Sequence, residues 1–240
     1  ESISYLIVGD SFAHGACVNR PNDVGSNLRK LSENSVLNLG YSGNGPLEEF
    51  ATLREYLKEN VKNILWLYYP NDLANLAEEL KVNILNKYLE NSNFTQNLAF
   101  KQMEIDEEAK KIIDIKYSTE KKFDLKKLLI LNNLRGYIYS LLPIEYLPSY
   151  SNSALVQPTE KFVEILKKTK KLAYKNSSNL FFIYLPEYSQ YKDNYIDTNY
   201  RNIKKILKNL DISFIDLHEL VFEQEENPLS LFPYGLPGHY

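Results

Sequence analysis

The 240-residue chain predicts an α/β fold: a doubly wound sheet of about five parallel strands with helices on both faces and a mostly helical insertion. Two observations predict it. Short apolar runs recur that suit strands buried on both faces, and helix-patterned stretches separate them, which is the βαβ signature. Residues 3–8 read I-S-Y-L-I-V and stop at Gly9. A second run, 35–39, ends before Gly40, and a third, 63–69, ends before Pro70, with a helix predicted over 46–59 between them. Residues 180–185 and 212–215 supply two more strands, preceded by helices over 159–174 and 195–209.

Between 72 and 158 the pattern changes. Residues 73–89 read as helix, and 103–127 alternate Glu and Asp with Lys, the mark of solvated helix faces. The stretch 94–153 is too long for a simple connection in a compact α/β unit. It is read as a helical insertion, about 73–157 in all, that caps the active site within one domain spanning 1–240. The Pro/Ser/Asn cluster 148–158 is the loop by which it rejoins the sheet. The lysines at 167–171 lie on an amphipathic helix whose apolar positions are Phe162, Ile165, Leu166 and Leu172.

Composition narrows the function. Lys and Arg number 28 against 31 Asp and Glu, a net charge of −3, so no global basic field is present to hold a phosphate backbone, and no nucleic-acid partner is expected. One cysteine cannot form an internal disulfide, and three histidines beside it give no zinc-type spacing. No metal is expected. No run approaches the roughly 18 apolar residues of a membrane span, and the N-terminus lacks the order of a signal peptide. The start at Glu1 and the end at His239-Tyr240 read as a piece of a longer product, which leaves the compartment open.

In an open parallel sheet, ligands bind beyond the carboxyl ends of the strands. That rule selects Gly9-Asp10-Ser11-Phe12, the glycine-rich stretch 40–45, Pro70-Asn71-Asp72 and the tail ending at His239. An acyl-transfer site needs a hydroxyl, an imidazole to take its proton, and donors aimed where an oxyanion forms. Ser11 would attack, His239 would act as base, and the Ser11 and Gly43 N–H groups with the Asn71 amide would hold the oxyanion.

Plainer readings stand beside each of these. Gly-Asp-Ser after a strand also serves as a turn with a helix N-cap, and Asn71-Asp72 as a cap for the helix at Leu73. The glycines complete neither phosphate-loop pattern, which argues against a nucleotide-binding flavodoxin-like protein. His14 and His218 are expected to be structural and Cys17 a small buried hydrophobe. No G-x-S-x-G elbow is present.

Gly9-Asp10-Ser11, Asn38-Leu39-Gly40 with Ser42-Gly43, Asn71-Asp72 and His239 resemble, in order, the four blocks of the SGNH (GDSL-type) hydrolases. The resemblance implies a flavodoxin-like sheet, serine esterase, lipase, carbohydrate-deacetylase or acyltransferase activity, and no cofactor. It assigns Ser11 as nucleophile, Gly43 and Asn71 as oxyanion residues and His239 as base. Two positions depart from the pattern: Leu236 stands where the family places the triad aspartate, and Tyr69 where it places a glycine. Asp216, a backbone carbonyl or a bare Ser-His pair are the replacements for the missing acid. The expected substrate is a small acyl ester, such as acetyl, on a carbohydrate, since Tyr41, Tyr69, Tyr234 and Tyr240 would bring aromatic faces to the mouth. An acyltransferase, or a silent carbohydrate-binding module that lost its triad, are the alternatives.

Overall fold

The computed structural model describes residues 3–58, 60–120, 159–193, 195 and 198–235. Five strands form one sheet: β1 (Ile3–Val8), β2 (Val36–Asn38), β3 (Val61–Tyr68), β4 (Asn179–Tyr184) and β5 (Ser213–Asp216). Their order is β2-β1-β3-β4-β5, with every neighbouring pair parallel. This is the flavodoxin-type order, in which the chain reverses its winding between β1 and β3 and leaves a crevice at their carboxyl ends.

The period of two along each strand sorts its side chains onto two faces. Leu6, Val8, Ile64, Trp66, Tyr68, Phe182 and Tyr184 belong to the larger core. They meet α3 (Pro46–Tyr56), α4 (Asp72–Glu79), α5 (Asn83–Glu90), α7 (Thr159–Lys175) and α8 (Thr198–Leu210). Ile7, Leu67 and Leu185 belong to the smaller core, covered by α1 (Ser11–His14), α2 (Val24–Ser32) and α9 (Leu217–Leu220). Ile64 and Phe162 are fully buried, and burial of such side chains stabilises by about 1.5–3 kcal/mol each.

The chain divides into two compact units, Glu1–Gln96 with Gln157–Tyr240, and Asn97–Val156. In the second, a 3-10 turn (Leu98–Phe100) precedes α6 (Gln102–Glu120), whose described side chains are exposed. That fits the solvated helix expected from its alternating charge. The rest of the expected insertion, from 121, lies outside the described residues.

Three local expectations are corrected. The helix expected over 73–89 is two helices, α4 and α5, because Val82 takes an extended conformation and the Asn86 amide donates to the carbonyls of Leu80 and Val82. Both helices pack into the core of the first unit. α2 was not anticipated: two of its three large apolar side chains, Val24 and Leu31, are themselves exposed, and only Asp23 as cap and Arg29-Lys30 in its last turn mark it. Cys17 is exposed rather than buried, since it lies in the turn after Gly15 ends α1.

Candidate active site

β1 is followed by Gly9, whose φ of +152° disfavours a side chain and where a Cβ would lie 2.8 Å from both the Ala13 side chain and the Leu67 carbonyl. The sharp turn presents Asp10 as the N-cap of α1. Its Oδ1 accepts from the Phe12 N–H at 2.9 Å, and its Oδ2 accepts from the Ser11 hydroxyl at 3.2 Å. Ser11 is the first residue of that single turn, which Gly15 closes in the left-handed conformation. The plainer reading, a turn with an Asp cap, is therefore realised locally, and it is this cap that sets Ser11 at the carboxyl end of β1.

The loop after β2 is docked onto the same turn. The Asn38 amide donates to the Ala13 carbonyl at 2.6 Å, and its oxygen accepts from the Gly40 N–H at 2.9 Å. Gly40 has to be glycine: a Cβ there would lie 2.4 Å from that of Ala13. The Tyr41 N–H donates to the Gly9 carbonyl at 3.1 Å. Gly43, exposed and at φ +92°, faces open space. His14, on the turn that begins with Ser11, pairs its Nδ1 with the Ser42 hydroxyl at 3.0 Å and stacks on the Tyr41 ring at 5.2 Å.

After β3, Asn71 is the N-cap of α4, yet its side chain makes no capping bond and is exposed. Asp72 does the anchoring: fully buried, it accepts the Tyr69 N–H at 3.0 Å. The Tyr69 ring lies 4.6 Å from that of Phe12, so the third loop touches the first. On α4, the Asn75 amide reaches the Asn44 carbonyl at 3.4 Å, which ties that helix to the second loop.

Beneath these loops lies a group of buried carboxyls that the sequence reading passed over. Glu79 accepts the N–H groups of Gly45, Leu47 and Glu48 at 2.7, 2.9 and 3.2 Å and so caps α3 from outside. Glu49 is fully buried, and neither of its oxygens has a hydrogen-bond partner among the described residues. Burial, then the charges of Asp72, Glu79 and Asp10, push the Glu49 carboxyl well above its usual range. The Trp66 indole, close but outside hydrogen-bond geometry, opposes this weakly. Burial and then Asp10 push Asp72 up in the same sense, with the Tyr69 N–H opposing. Burial raises Glu79 to about 7 against the three N–H bonds it accepts.

A signal for this group was present. Positions 72, 73, 76 and 79 form one stripe of α4, and 46, 49, 50 and 53 one stripe of α3, so each acid falls on the face that the apolar residues mark as inward.

Asp216 closes β5 and caps α9. Its Oδ1 accepts the His218 N–H at 3.1 Å, its Oδ2 accepts the Tyr200 hydroxyl at 2.5 Å, and Lys204 Nζ lies 3.4 Å away. His218 pairs Nδ1 with the Tyr191 hydroxyl at 2.9 Å and Nε2 with Glu223 at 3.2 Å. Both of its ring nitrogens are thus engaged. Tyr188 donates to the Gly235 carbonyl at 2.8 Å, beside a cluster of Tyr188, Phe222 and Phe232. Leu236, His239 and Tyr240 lie outside the described residues.

Among the described residues no group of three His, Cys, Asp or Glu side chains is arranged to hold a metal ion. None of their helices is long and apolar enough to cross a membrane.

No family model matches the chain, and no curated protein matches it. Among solved structures it is similar to AlinE4, an SGNH-hydrolase family esterase, at 11% identity and TM-score 0.46, over 97% of this chain and 84% of that one. TesA shares 12% identity at TM-score 0.47, over 91% of this chain and 81% of that one. Phospholipase A1 from Streptomyces albidoflavus NA297 shares 10% at TM-score 0.45, over 89% and 79%.

Proposed function

We propose that the chain is a serine ester hydrolase of the SGNH type. The observation that carries this reading is the seating of Ser11 at the switch point of the sheet, on a capped turn against which the loops bearing Gly43 and Asn71 are docked. The uncommitted Asn71 amide supports an oxyanion role, since a residue needed only as a cap would spend its side chain on the helix N–H groups.

In the proposed reaction His239 takes the Ser11 proton as Oγ attacks the ester carbonyl. The Ser11 and Gly43 N–H groups and the Asn71 amide stabilise the oxyanion. The C–O bond then breaks, the leaving alkoxide receives the proton from His239, and water repeats the sequence on the acyl-enzyme. Asp216 already serves Tyr200, Lys204 and the α9 cap, so the chemistry is assigned to a Ser11–His239 pair. A small acyl group on a carbohydrate suits the exposed Tyr41 ring at the mouth. An acceptor hydroxyl in place of water would make the same site an acyltransferase.

The test is labelling with a fluorophosphonate and hydrolysis of p-nitrophenyl acetate. Ser11→Ala should abolish labelling, and Asn71→Ala should lower kcat by a factor of about 10²–10³. A folded wild-type protein that neither labels nor turns over would instead be the silent module.

A further inference from the structure

A hollow of about 220 Å³ opens beside this site, between the end of α1, the side of α2 that faces β2, and the end of β2. Its walls include His14, Arg20, Asp23, Ser26, Arg29 and Asn38. His14 is one turn along from Ser11, a rise of about 5 Å on the helix axis. Asn38 is the residue that clamps that turn to the loop of Gly43.

The charges of the hollow do not cancel. Asp23 is its one carboxylate, and it is spent: Oδ1 accepts the Ser26 N–H at 2.9 Å and Oδ2 the Ser26 hydroxyl at 2.6 Å. The Ser26 hydroxyl, above all, holds the Asp23 carboxyl below its usual range, so it stays ionised. Against that single negative charge stand two guanidinium groups. Arg29 uses Nε on the Val36 carbonyl at 3.2 Å and Nη1 on the Ser26 hydroxyl at 3.4 Å, which fixes its plane and leaves Nη2 without a partner among the described residues. Arg20 makes no hydrogen bond among them and contributes only its charge. A net positive hollow lined by uncommitted N–H donors is the environment that phosphate and carboxylate groups seek, because guanidinium donors match their paired oxygens.

We infer that this hollow is a subsite for an anionic group, a phosphate or a carboxylate, carried by the ester on which Ser11 acts. The inference rests on the proposed function and names the class of substrate: an acylated compound that also carries a negative charge. Arg29 is pre-oriented by β2 and would grip the anion. Arg20 would add its charge from elsewhere on the lining.

The experiment is calorimetric titration of the full chain with inorganic phosphate and, separately, with glucuronate, at ionic strength held constant with sodium chloride. Ser11→Ala and Arg20→Gln are measured alongside wild type. The Arg20 side chain makes no hydrogen bond among the described residues, so its substitution is expected to leave the fold intact, whereas Arg29 also braces β2. Saturable binding of one or both probes is expected, kept in Ser11→Ala and weakened about tenfold in Arg20→Gln, as loss of one charge-assisted contact implies. Phosphate alone binding would name a phosphoester-bearing substrate, and glucuronate alone a uronate. Binding of neither, or equal binding in Arg20→Gln, overturns the subsite. Binding that depends on Arg20 in a protein that no fluorophosphonate labels would retire the hydrolase and leave the subsite standing; labelling without binding does the reverse.

Discussion

Two clusters of acids lie at the carboxyl ends of the strands, and they are built on opposite principles. At β5, Asp216 and Glu219 share Lys204 and the Tyr200 hydroxyl, with Lys204 Nζ 2.5 Å from Glu219. Every charge there has an opposite beside it. At β1 and β3, by contrast, Asp10, Glu49, Asp72 and Glu79 are buried together, and Asp10, Asp72 and Glu79 are bonded to backbone or hydroxyl donors of the site loops. Such a group coexists in low dielectric only if protons neutralise part of it. The difference separates their roles: the β5 cluster is an ion-paired support, whereas the β1/β3 cluster is a proton-dependent frame for the three loops that carry Ser11, Gly43 and Asn71.

The sharpest way to break this comparison is Glu79→Ala. It strands three N–H groups at the start of α3 and should lower unfolding free energy by about 3 kcal/mol or more in urea titrations. A loss near zero would mean that water caps α3 just as well. Next comes pH. Glu79 rises from an ordinary 4.5 to about 7 on folding, so the folded state holds its proton more tightly. Its contribution is present in full below 4.5 and disappears as pH climbs to 7, a loss of about 3 kcal/mol. Glu49 and Asp72, raised in the same direction, extend the decline to higher pH. Thermal melts should therefore show higher Tm at pH 5 than at pH 8. Glu49→Gln, which mimics the protonated form, should flatten the upper part of that profile; a variant unfolded at every pH would show that a carboxylate is required.

Asp216→Ala probes the other cluster. Loss of the Tyr200 bond and the α9 cap should destabilise by about 2 kcal/mol, with ester turnover retained in the folded fraction. A kcat fallen by thousands in a folded variant would make Asp216 the triad acid and erase the distinction. Lys204→Met should have the smallest effect, under about 1 kcal/mol by urea titration, because the side chain is partly exposed and its pairs are screened.

How far the sequence foretells these regions depends on the kind of signal each carries. The strands were legible because a strand covered on both faces is a continuous apolar run, as at β1 and β4. The three described site loops were legible because Gly-Asp-Ser, Gly-Tyr-Ser-Gly and Asn-Asp each follow such a run. α2 was not, since Val24, Leu28 and Leu31 are too few to mark a face among Asn, Ser, Arg and Lys. The break at Val82 was hidden because Asn83-Ile84-Leu85 resumes a helical pattern almost in phase. The carboxyl frame was overlooked for a different reason: Glu48-Glu49 and Glu78-Glu79 read as ordinary surface charge unless each acid is placed against the apolar stripe it shares. Cys17 shows the reverse error, a residue type usually buried that here lies in an exposed turn.

The contact between Gly40 and Ala13 also limits how the site can diversify. With only 2.4 Å available to a Cβ at position 40, neither partner tolerates growth, and Asn38 locks the pair from the other side. Variation in what the cleft accepts therefore has to arise at its rim, where Tyr41 and Ser42 face solvent. A library randomised at those two positions should yield altered selectivity with intact folding, and one randomised at 13 and 40 should yield mostly aggregates.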